Sequence, residues 1–315
     1  MTLGCSTVAK KKRSRTKRPT KDDFALPSVV EATNEHALRY INAPWLRDRL
    51  QQRFRWHTLF ARTVTASASI SKRNIDPELF NAYLLLGNRW FSHHESIEML
   101  LTTGRYGDCM ALLRSLLEDT DLITYFSLYP DDAAEWRDTL SRAPMWSDET
   151  YRRGFNKFRM SAIWPKIESQ GVEPLGRRDY SILSATVHAS PWGARYYGRV
   201  LPTEPDRIYL SLAPIWDAAA AFSIGLVLQE TLPRPIEAFL GSCEKAGAPR
   251  SEHRSIRAKY EELLPLWQKK MEFDSWFREA MADVEKRVLE GEDRQAVLDA
   301  LSARFQEVYG WTKEK

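Results

Sequence analysis

The chain has 315 residues, of which 43% are hydrophobic and 28% are charged, with 14 glycines, 16 prolines and three cysteines. These proportions exclude collagen-like, disulfide-rich and wholly disordered classes, and they indicate a globular protein of one large domain or two smaller ones. No apolar stretch reaches the roughly 20 residues that a bilayer requires, and the cysteines are isolated. We therefore expect a soluble cytoplasmic protein with no membrane partner.

The first 27 residues form a basic arm, which its composition predicts to be disordered. Residues 1–23 hold eight bases and two acids, a net charge of +6, whereas the whole chain carries +4, so the remainder is acidic. Such an arm can neutralise the phosphates of a nucleic acid; the alternatives are a solvated tail and a nuclear import signal. The bases expected to contact phosphates are Lys10, Lys11, Lys12, Arg13, Arg15, Lys17 and Arg18.

Residues 28–250 carry a helical pattern that predicts an all-α multi-helix bundle. Over 45–70 the predicted apolar face contains Leu46, Leu50, Phe54, Phe60 and Val64, with the arginines of this segment mostly on other faces. Asp76, Pro77 and Glu78 predict the start of a long helix and Gly104 its end. Its expected inward stripe is Phe80, Tyr83, Gly87, Trp90, Phe91, His94, Ile97 and Leu101, and residues 106–128 predict an antiparallel partner.

The second half of the chain predicts shorter elements. Helices are expected over 131–141, 148–160, 178–189, 214–231 and 235–245. An irregular central insertion near 191–212 is expected to form a small hairpin or an ordered loop. Residues 251–315 form a charged extension of two or three helices with a kink at Pro265, and we expect this extension to mediate homo-oligomerisation or to bind a protein partner.

Three helical segments place ionisable or hydroxyl groups beside an apolar stripe. His94 and Glu98 share one helix face, as do Arg114 and Glu118, because each pair is four residues apart. A third segment carries Tyr180, Ser184 and His188 at the same interval. If these faces meet, they form a candidate site, since buried charges must be paired. The alternative is that Arg114 and Glu118 form a structural ion pair without a substrate.

The sequence contains no established metal or cofactor motif. A carboxylate-bridged dimetal bundle needs Glu-x-x-His on two helices, and no glutamate here has a histidine at that interval. Glycine-rich phosphate loops and nucleophile elbows are also missing from the sequence. We therefore expect neither a metal nor a cofactor; the alternative is a single metal ion held by side chains drawn from His93, His94, Glu98, Glu118 and His188.

The run GRYGDCMALLRSLLE over residues 104–118 resembles an uncharacterised bacterial all-helical family. In that family an Arg-x-x-x-Glu helix follows a helix pair, and a Tyr-x-x-x-Ser-x-x-x-His segment comes later. The matching residues here are Arg114 and Glu118, then Tyr180, Ser184 and His188. The resemblance covers roughly residues 78–230 and implies the helical fold and the grouping of these side chains, but no particular reaction.

A looser resemblance is to helical ribonuclease domains of bacterial toxin and defence systems, which use an arginine followed after four to six residues by a histidine. Arg89 and His94 match this spacing, although Trp90 replaces a residue that is usually polar. The resemblance implies that His94 is the base toward a ribose 2′-hydroxyl and that Arg89 holds the phosphate.

Two functional hypotheses follow. The first, which we prefer at this point, is a protein that associates with nucleic acid or another partner in stress or phage defence. The second is a metal-independent ribonuclease whose site contains Arg89, His94, Glu98, Arg114, Glu118, Tyr180, Ser184 and His188.

Overall fold

The structure is a computed structural model that describes residues 29–42, 44–74, 76–141, 149–187, 198–201, 204–210, 218–245 and 251–293, together with 296, 297 and 300. The described residues form an all-α multi-helix fold with one small ribbon. The first six helices are α1 (Val29–Asn42), α2 (Pro44–Asn74), α3 (Pro77–Thr102), α4 (Tyr106–Leu128), α5 (Asp132–Ser141) and α6 (Glu149–Phe158). They are followed by α7 (Met160–Ser169), α8 (Leu175–Val187), β1 (Gly198–Leu201), β2 (Glu204–Leu210), α9 (Ala218–Thr231), α10 (Pro233–Lys245) and α11 (Ser251–Leu289). No helix in these ranges combines the length and apolarity needed to cross a membrane.

Helices α3 and α4 form the antiparallel hairpin at the centre of the fold. The Asp76 carboxylate accepts a hydrogen bond from the Glu78 backbone N–H at 2.7 Å, which caps the start of α3. Gly104 has a φ of 70°, the left-handed conformation that ends a helix without a side-chain clash. The predicted start and stop of α3 are thus confirmed. Across the hairpin, the buried Cys109 thiol donates to the Ile97 carbonyl at 3.6 Å.

The inward face of α3 supplies most of the central core. Every residue of the predicted stripe is buried except Phe91, which is half-buried. Complete burial of a large apolar side chain stabilises the fold by roughly 1.5–3 kcal/mol, so Trp90 and Ile97 contribute strongly. Gly87 lets α2 approach closely, because a Cβ at this position would lie 2.8 Å from the Phe60 ring.

The prediction for the apolar face of α2 is wrong at two positions. Phe54 is 72% exposed, whereas Arg49 is only 5% exposed. The buried face contains Trp56, Leu59 and Phe60, and Phe54 lies about 200° around the helix from Trp56, whose larger indole removes more surface from water when it is buried. Arg49 is accommodated by Gly225 of α9, where a Cβ would lie 2.7 Å from the guanidinium Nη1.

One buried carboxylate joins α4, α7 and α8. The carboxylate of Asp121 accepts hydrogen bonds from Trp164 Nε1 at 2.8 Å and from the backbone N–H groups of Leu175 and Gly176, both at 2.9 Å. It therefore satisfies two of the donors that the first turn of α8 leaves without an intrahelical partner. Helix α7 has no counterpart in the sequence prediction, in which the preceding helix ends at residue 160.

The insertion and the C-terminal extension complete the described fold. Strands β1 and β2 pair antiparallel with Gly198 opposite Leu210, in line with the hairpin alternative; the rest of the insertion and the whole basic arm lie outside the described residues. Helix α11 packs on α2, α9 and α10 and runs without a break from Ser251 to Leu289. After Gly291, whose φ is 98°, residues 296, 297 and 300 are again helical, and the number of helices in the whole extension stays a prediction because much of it lies outside the described residues. Helix α11 tolerates Pro265 because this residue is exposed, so water can reach the carbonyl that loses its helical partner.

Candidate functional site

A cluster at the protein surface contains one of the predicted catalytic residues, Arg89, next to a histidine that was not among them. We call it the surface triad: Arg89, His93 and Asp119. Arg89 and His93 share a face of α3, since they are four residues apart, and Asp119 faces them from α4. Asp119 is 0% exposed, whereas the side chains of Arg89 and His93 are 50% and 18% exposed, so the cluster opens toward solvent.

The carboxylate of Asp119 fixes both of its neighbours. Arg89 Nε donates a hydrogen bond to Asp119 Oδ2 at 3.1 Å, and Arg89 Nη2 lies at the ion-pair distance of 2.9 Å from Oδ1, which accepts no hydrogen bond from the described residues. His93 Nδ1 lies 3.0 Å from Asp119 Oδ2. Because a carboxylate only accepts hydrogen bonds, His93 Nδ1 must carry the proton, which leaves the lone pair of a neutral ring on Nε2.

The surface triad therefore has the parts of a general base held by a carboxylate. His93 Nε2 can accept a proton from a hydroxyl group, while Asp119 fixes the ring orientation and stabilises the imidazolium that forms. Arg89 places a cation beside the same ring, where it can attract a phosphate. The sequence prediction missed His93 and Asp119, although the four-residue spacing of Arg89 and His93 was a usable signal.

A second cluster contains three of the predicted site residues. Arg114 Nε donates to Glu118 Oε1 at 3.1 Å, and Arg114 Nη2 donates to the Tyr180 hydroxyl at 2.7 Å. The guanidinium also lies over the Tyr180 ring, 4.6 Å from its centroid. The structure thus brings these three side chains together across α4 and α8. Because these side chains bind one another, the arrangement is typical of a structural ion pair, which was the alternative to a substrate site.

The remaining residues of that predicted segment are not part of this contact set. Ser184 lies partly buried on α8, one turn after Tyr180, and His188 lies outside the described residues. Of the predicted row of phenol, hydroxyl and imidazole groups, the structure therefore describes only the side chains of Tyr180 and Ser184.

His94 is unsuited to the role of base, which corrects the expectation from the sequence. It is 0% exposed, and its ring lies against those of Trp90 and His57, at 4.6 Å and 4.9 Å between centroids. The Thr231 hydroxyl donates to the Leu228 carbonyl, so His94 Nε2 must be the donor in its 2.8 Å hydrogen bond to Thr231. Burial also lowers the pKa of His94 well below its usual value. A ribose hydroxyl cannot reach an imidazole in this position.

Glu98, the partner predicted for His94, instead forms an ion pair with Arg53 of α2. Together with Arg49 and Gln229 these residues line a cavity of about 10 Å³, which has room for about one water molecule. Within the described residues, neither His94 Nδ1 nor the Gln229 side-chain amide has a protein partner. We expect one internal water to bind these atoms, and the cavity is too small for a nucleotide.

The buried histidines make the fold sensitive to acid. Burial, followed by the nearby Arg53 charge, lowers the pKa of His57 from 6.5 to about 3. Well above pH 6.5 the His57 ring is neutral in both the folded and the unfolded protein. Below pH 6.5 the unfolded chain binds a proton at His57 that the folded protein does not bind, so the free energy of unfolding falls. From pH 7 to pH 5 His57 alone is expected to reduce the free energy of unfolding by about 2 kcal/mol.

Urea denaturation of wild type and His57→Gln between pH 5 and pH 7 measures this effect. The variant should lose less stability on acidification, because glutamine does not titrate. Asp121 works in the opposite direction in both proteins, since burial raises its pKa to about 6. Equal pH dependence in the two proteins would contradict the prediction.

Two further observations bear on ligands and relatives. The described residues contain no group of three or more His, Cys, Asp or Glu side chains arranged to hold a metal ion. The seven bases expected to contact phosphates lie in the arm, outside the described residues. Comparison of the chain with protein-family models, curated proteins and solved structures found no match.

Proposed function

We propose that this protein cleaves RNA at the surface triad, using side chains and no metal ion. The observation that carries the proposal is the 3.0 Å contact between His93 Nδ1 and the fully buried Asp119, with Arg89 held by the same carboxylate at the protein surface. The resemblance of this segment to arginine–histidine ribonucleases rests on the spacing of Arg89 and His94; His93 departs from that spacing, with three residues between it and Arg89, so the proposal depends on the contact geometry.

The reaction needs only groups that the surface triad, the RNA and water supply. His93 Nε2 takes the proton of a ribose 2′-hydroxyl, and the 2′-oxygen forms a bond to the adjacent phosphorus. The bond from phosphorus to the 5′-oxygen of the next nucleotide breaks, and that oxygen takes a proton from water; the proton held on His93 then neutralises the hydroxide that remains, which returns His93 to its neutral form. Arg89 stabilises the additional negative charge on the phosphate oxygens. The products are a 2′,3′-cyclic phosphate and a 5′-hydroxyl.

Incubation of the full chain with total RNA in the presence of EDTA tests the proposal. Cleavage should persist in EDTA, and the new ends should be a cyclic phosphate and a 5′-hydroxyl. A 2′-deoxy substitution at the scissile position should block cleavage, because it removes the nucleophile. Intact RNA after prolonged incubation, or cleavage of the 2′-deoxy substrate, would refute the proposal.

A second candidate function is binding of nucleic acid through the basic arm, favoured by the net charge of +6 on residues 1–23. Deletion of residues 1–21 is expected to weaken RNA binding and to flatten its salt dependence. For each phosphate that the shortened chain no longer neutralises, the slope of log K against log salt should become shallower by about 0.7 to 0.9.

Fluorescence anisotropy with a labelled RNA at several salt concentrations measures both quantities. A chain in which Lys10, Lys11, Lys12 and Arg13 become glutamine is the matched control for length. Its slope should fall between those of the wild type and the deletion, although the arm keeps its full length. Unchanged affinity and slope after the deletion would rule out this role of the arm.

A further inference from the structure

A groove between α2 and α11 opens to solvent, and no residue of the surface triad lines it. Its volume is about 350 Å³, and the described residues of its lining are Gln52, Arg55 and Trp56 of α2 and Leu263, Leu266, Lys269 and Lys270 of α11. Next to the groove the rings of Trp56 and Tyr260 pack edge to face, with 5.7 Å between their centroids. The groove is therefore formed by two packed helices and not by a loop.

Both walls of the groove change from apolar at the floor to cationic at the rim. On α11, Leu263 is buried, Leu266 is 51% exposed and Lys269 is exposed, because each step of three residues turns about 60° further outward. On α2, Trp56 is buried, whereas Arg55, about 100° around the helix, is exposed. This gradient matches a ligand that has an apolar body and one anionic group.

The cations of the rim come from opposite walls, and the described lining contains no carboxylate to separate them. Arg55 lies on α2 and Lys269 on α11, and neither forms an ion pair with a residue that the structure describes. Lys270 also lines the groove, but it already takes part in an interaction within the chain. An anion between Arg55 and Lys269 would attract both side chains and offset their mutual repulsion.

The size of the groove favours a small ligand over a macromolecule. Seven described residues line the groove, whereas a stable protein interface involves about 20–30 residues on each side. A volume of about 350 Å³ lies near the lower end of the range for sites that hold a small molecule. A nucleotide fits less well, because Trp56 is buried against Tyr260 and leaves no open ring face on which a base could stack.

We propose that this groove binds one fatty acid. The alkyl chain lies on the apolar side chains of Trp56, Leu263 and Leu266. The carboxylate lies between Arg55 and Lys269. Burial of the alkyl chain supplies most of the affinity, and the two cations select an anion over a neutral or cationic molecule of the same length.

Isothermal titration calorimetry of the full chain with octanoate, decanoate and dodecanoate, each below its micelle concentration, tests the proposal. One molecule should bind per chain, and each added methylene should lower the dissociation constant about fourfold, because it adds apolar surface that the groove removes from water. Dodecyltrimethylammonium, a cation with the same alkyl chain as dodecanoate, should bind at least tenfold more weakly. Failure of dodecanoate to bind, or equal affinity for the cation, would overturn the proposal.

Substitutions at the rim and on the α11 wall locate the binding site. Arg55→Gln and Lys269→Gln should each raise the dissociation constant of dodecanoate roughly tenfold, because each removes a charged hydrogen-bond donor. Leu266→Gln should raise it about fivefold, since part of the apolar contact is lost. All three side chains are exposed, so the variants should stay folded, which circular dichroism checks.

Arg62→Gln is the matched control, because Arg62 is another exposed arginine of α2 and does not line the groove. This variant should bind dodecanoate with the wild-type affinity. An equal loss of affinity in Arg62→Gln, or unchanged affinity in the three groove variants, would overturn the proposal. Release of bound dodecanoate by polyglutamate or by a short single-stranded RNA would assign the groove to a macromolecule and would also overturn it.

Discussion

Replacement of His93 by glutamine is expected to lower the rate of RNA cleavage about 1000-fold, within the range that a general base contributes. Glutamine can still donate a hydrogen bond to Asp119, so the ion pair with Arg89 should persist, but its amide cannot take a proton at neutral pH. Because His93 lies at the surface, the free energy of unfolding should change by no more than about 1 kcal/mol. Single-turnover cleavage of a labelled RNA, alongside urea denaturation, measures both effects.

His94→Gln is the matched control, since it makes the same substitution at the next position of α3. This change removes a fully buried ring from between Trp90 and His57, so it should cost about 2 kcal/mol of stability. Cleavage should remain near the wild-type rate at temperatures where the variant is folded. If His94→Gln abolishes cleavage and His93→Gln does not, the assignment of the base to the surface triad is wrong.

Asp121→Asn is expected to reduce the free energy of unfolding by about 3 kcal/mol, although the two side chains have nearly the same size and shape. The two oxygens of Asp121 accept three hydrogen bonds, from Trp164, Leu175 and Gly176. An amide offers one oxygen and one NH₂ group, so at least one buried donor would face another donor. Burial prevents water from replacing the missing acceptor.

Urea denaturation of Asp121→Asn and of Asp283→Asn at pH 7 measures this difference. Asp283 is an exposed carboxylate whose ion pair with Arg287 spans one turn of α11, and such pairs contribute little to stability. The control should therefore change stability by less than about 0.5 kcal/mol. Similar small effects in both variants would show that Asp121 does not hold α7 and α8 on α4.

The α3–α4 hairpin was predictable because local chemistry determines it. Asp76 and Gly104 mark the ends of α3 through capping and a left-handed turn, and the short connection after Gly104 requires an antiparallel partner. The apolar period of α3 was also enough to identify its buried face. These signals act over a few residues and do not depend on the rest of the fold.

The site was harder to predict because its groups meet through tertiary packing. Spacing alone favoured His94, yet the helical period places His93 beside Arg89 and turns His94 into the core. Asp119 stands among several polar residues at the middle of α4, and only the register of α3 against α4 shows which of them meets His93. The sequence likewise predicted Arg49 to lie away from the apolar face of α2. Its burial depends on Gly225 of α9, which is far away in sequence, so no local signal indicates it.

The thiol of Cys109 has a practical consequence for measuring how this bundle opens. It lies between α3 and α4 with 0% of its surface exposed, and burial raises its pKa well above the ordinary thiol value. Alkylating reagents such as iodoacetamide react with an accessible thiolate, and neither condition is met while the two helices are in contact. The labelling rate of Cys109, separated from that of Cys5 and Cys243 by peptide mass spectrometry, therefore reports how often the hairpin separates in the native protein, without an engineered cysteine.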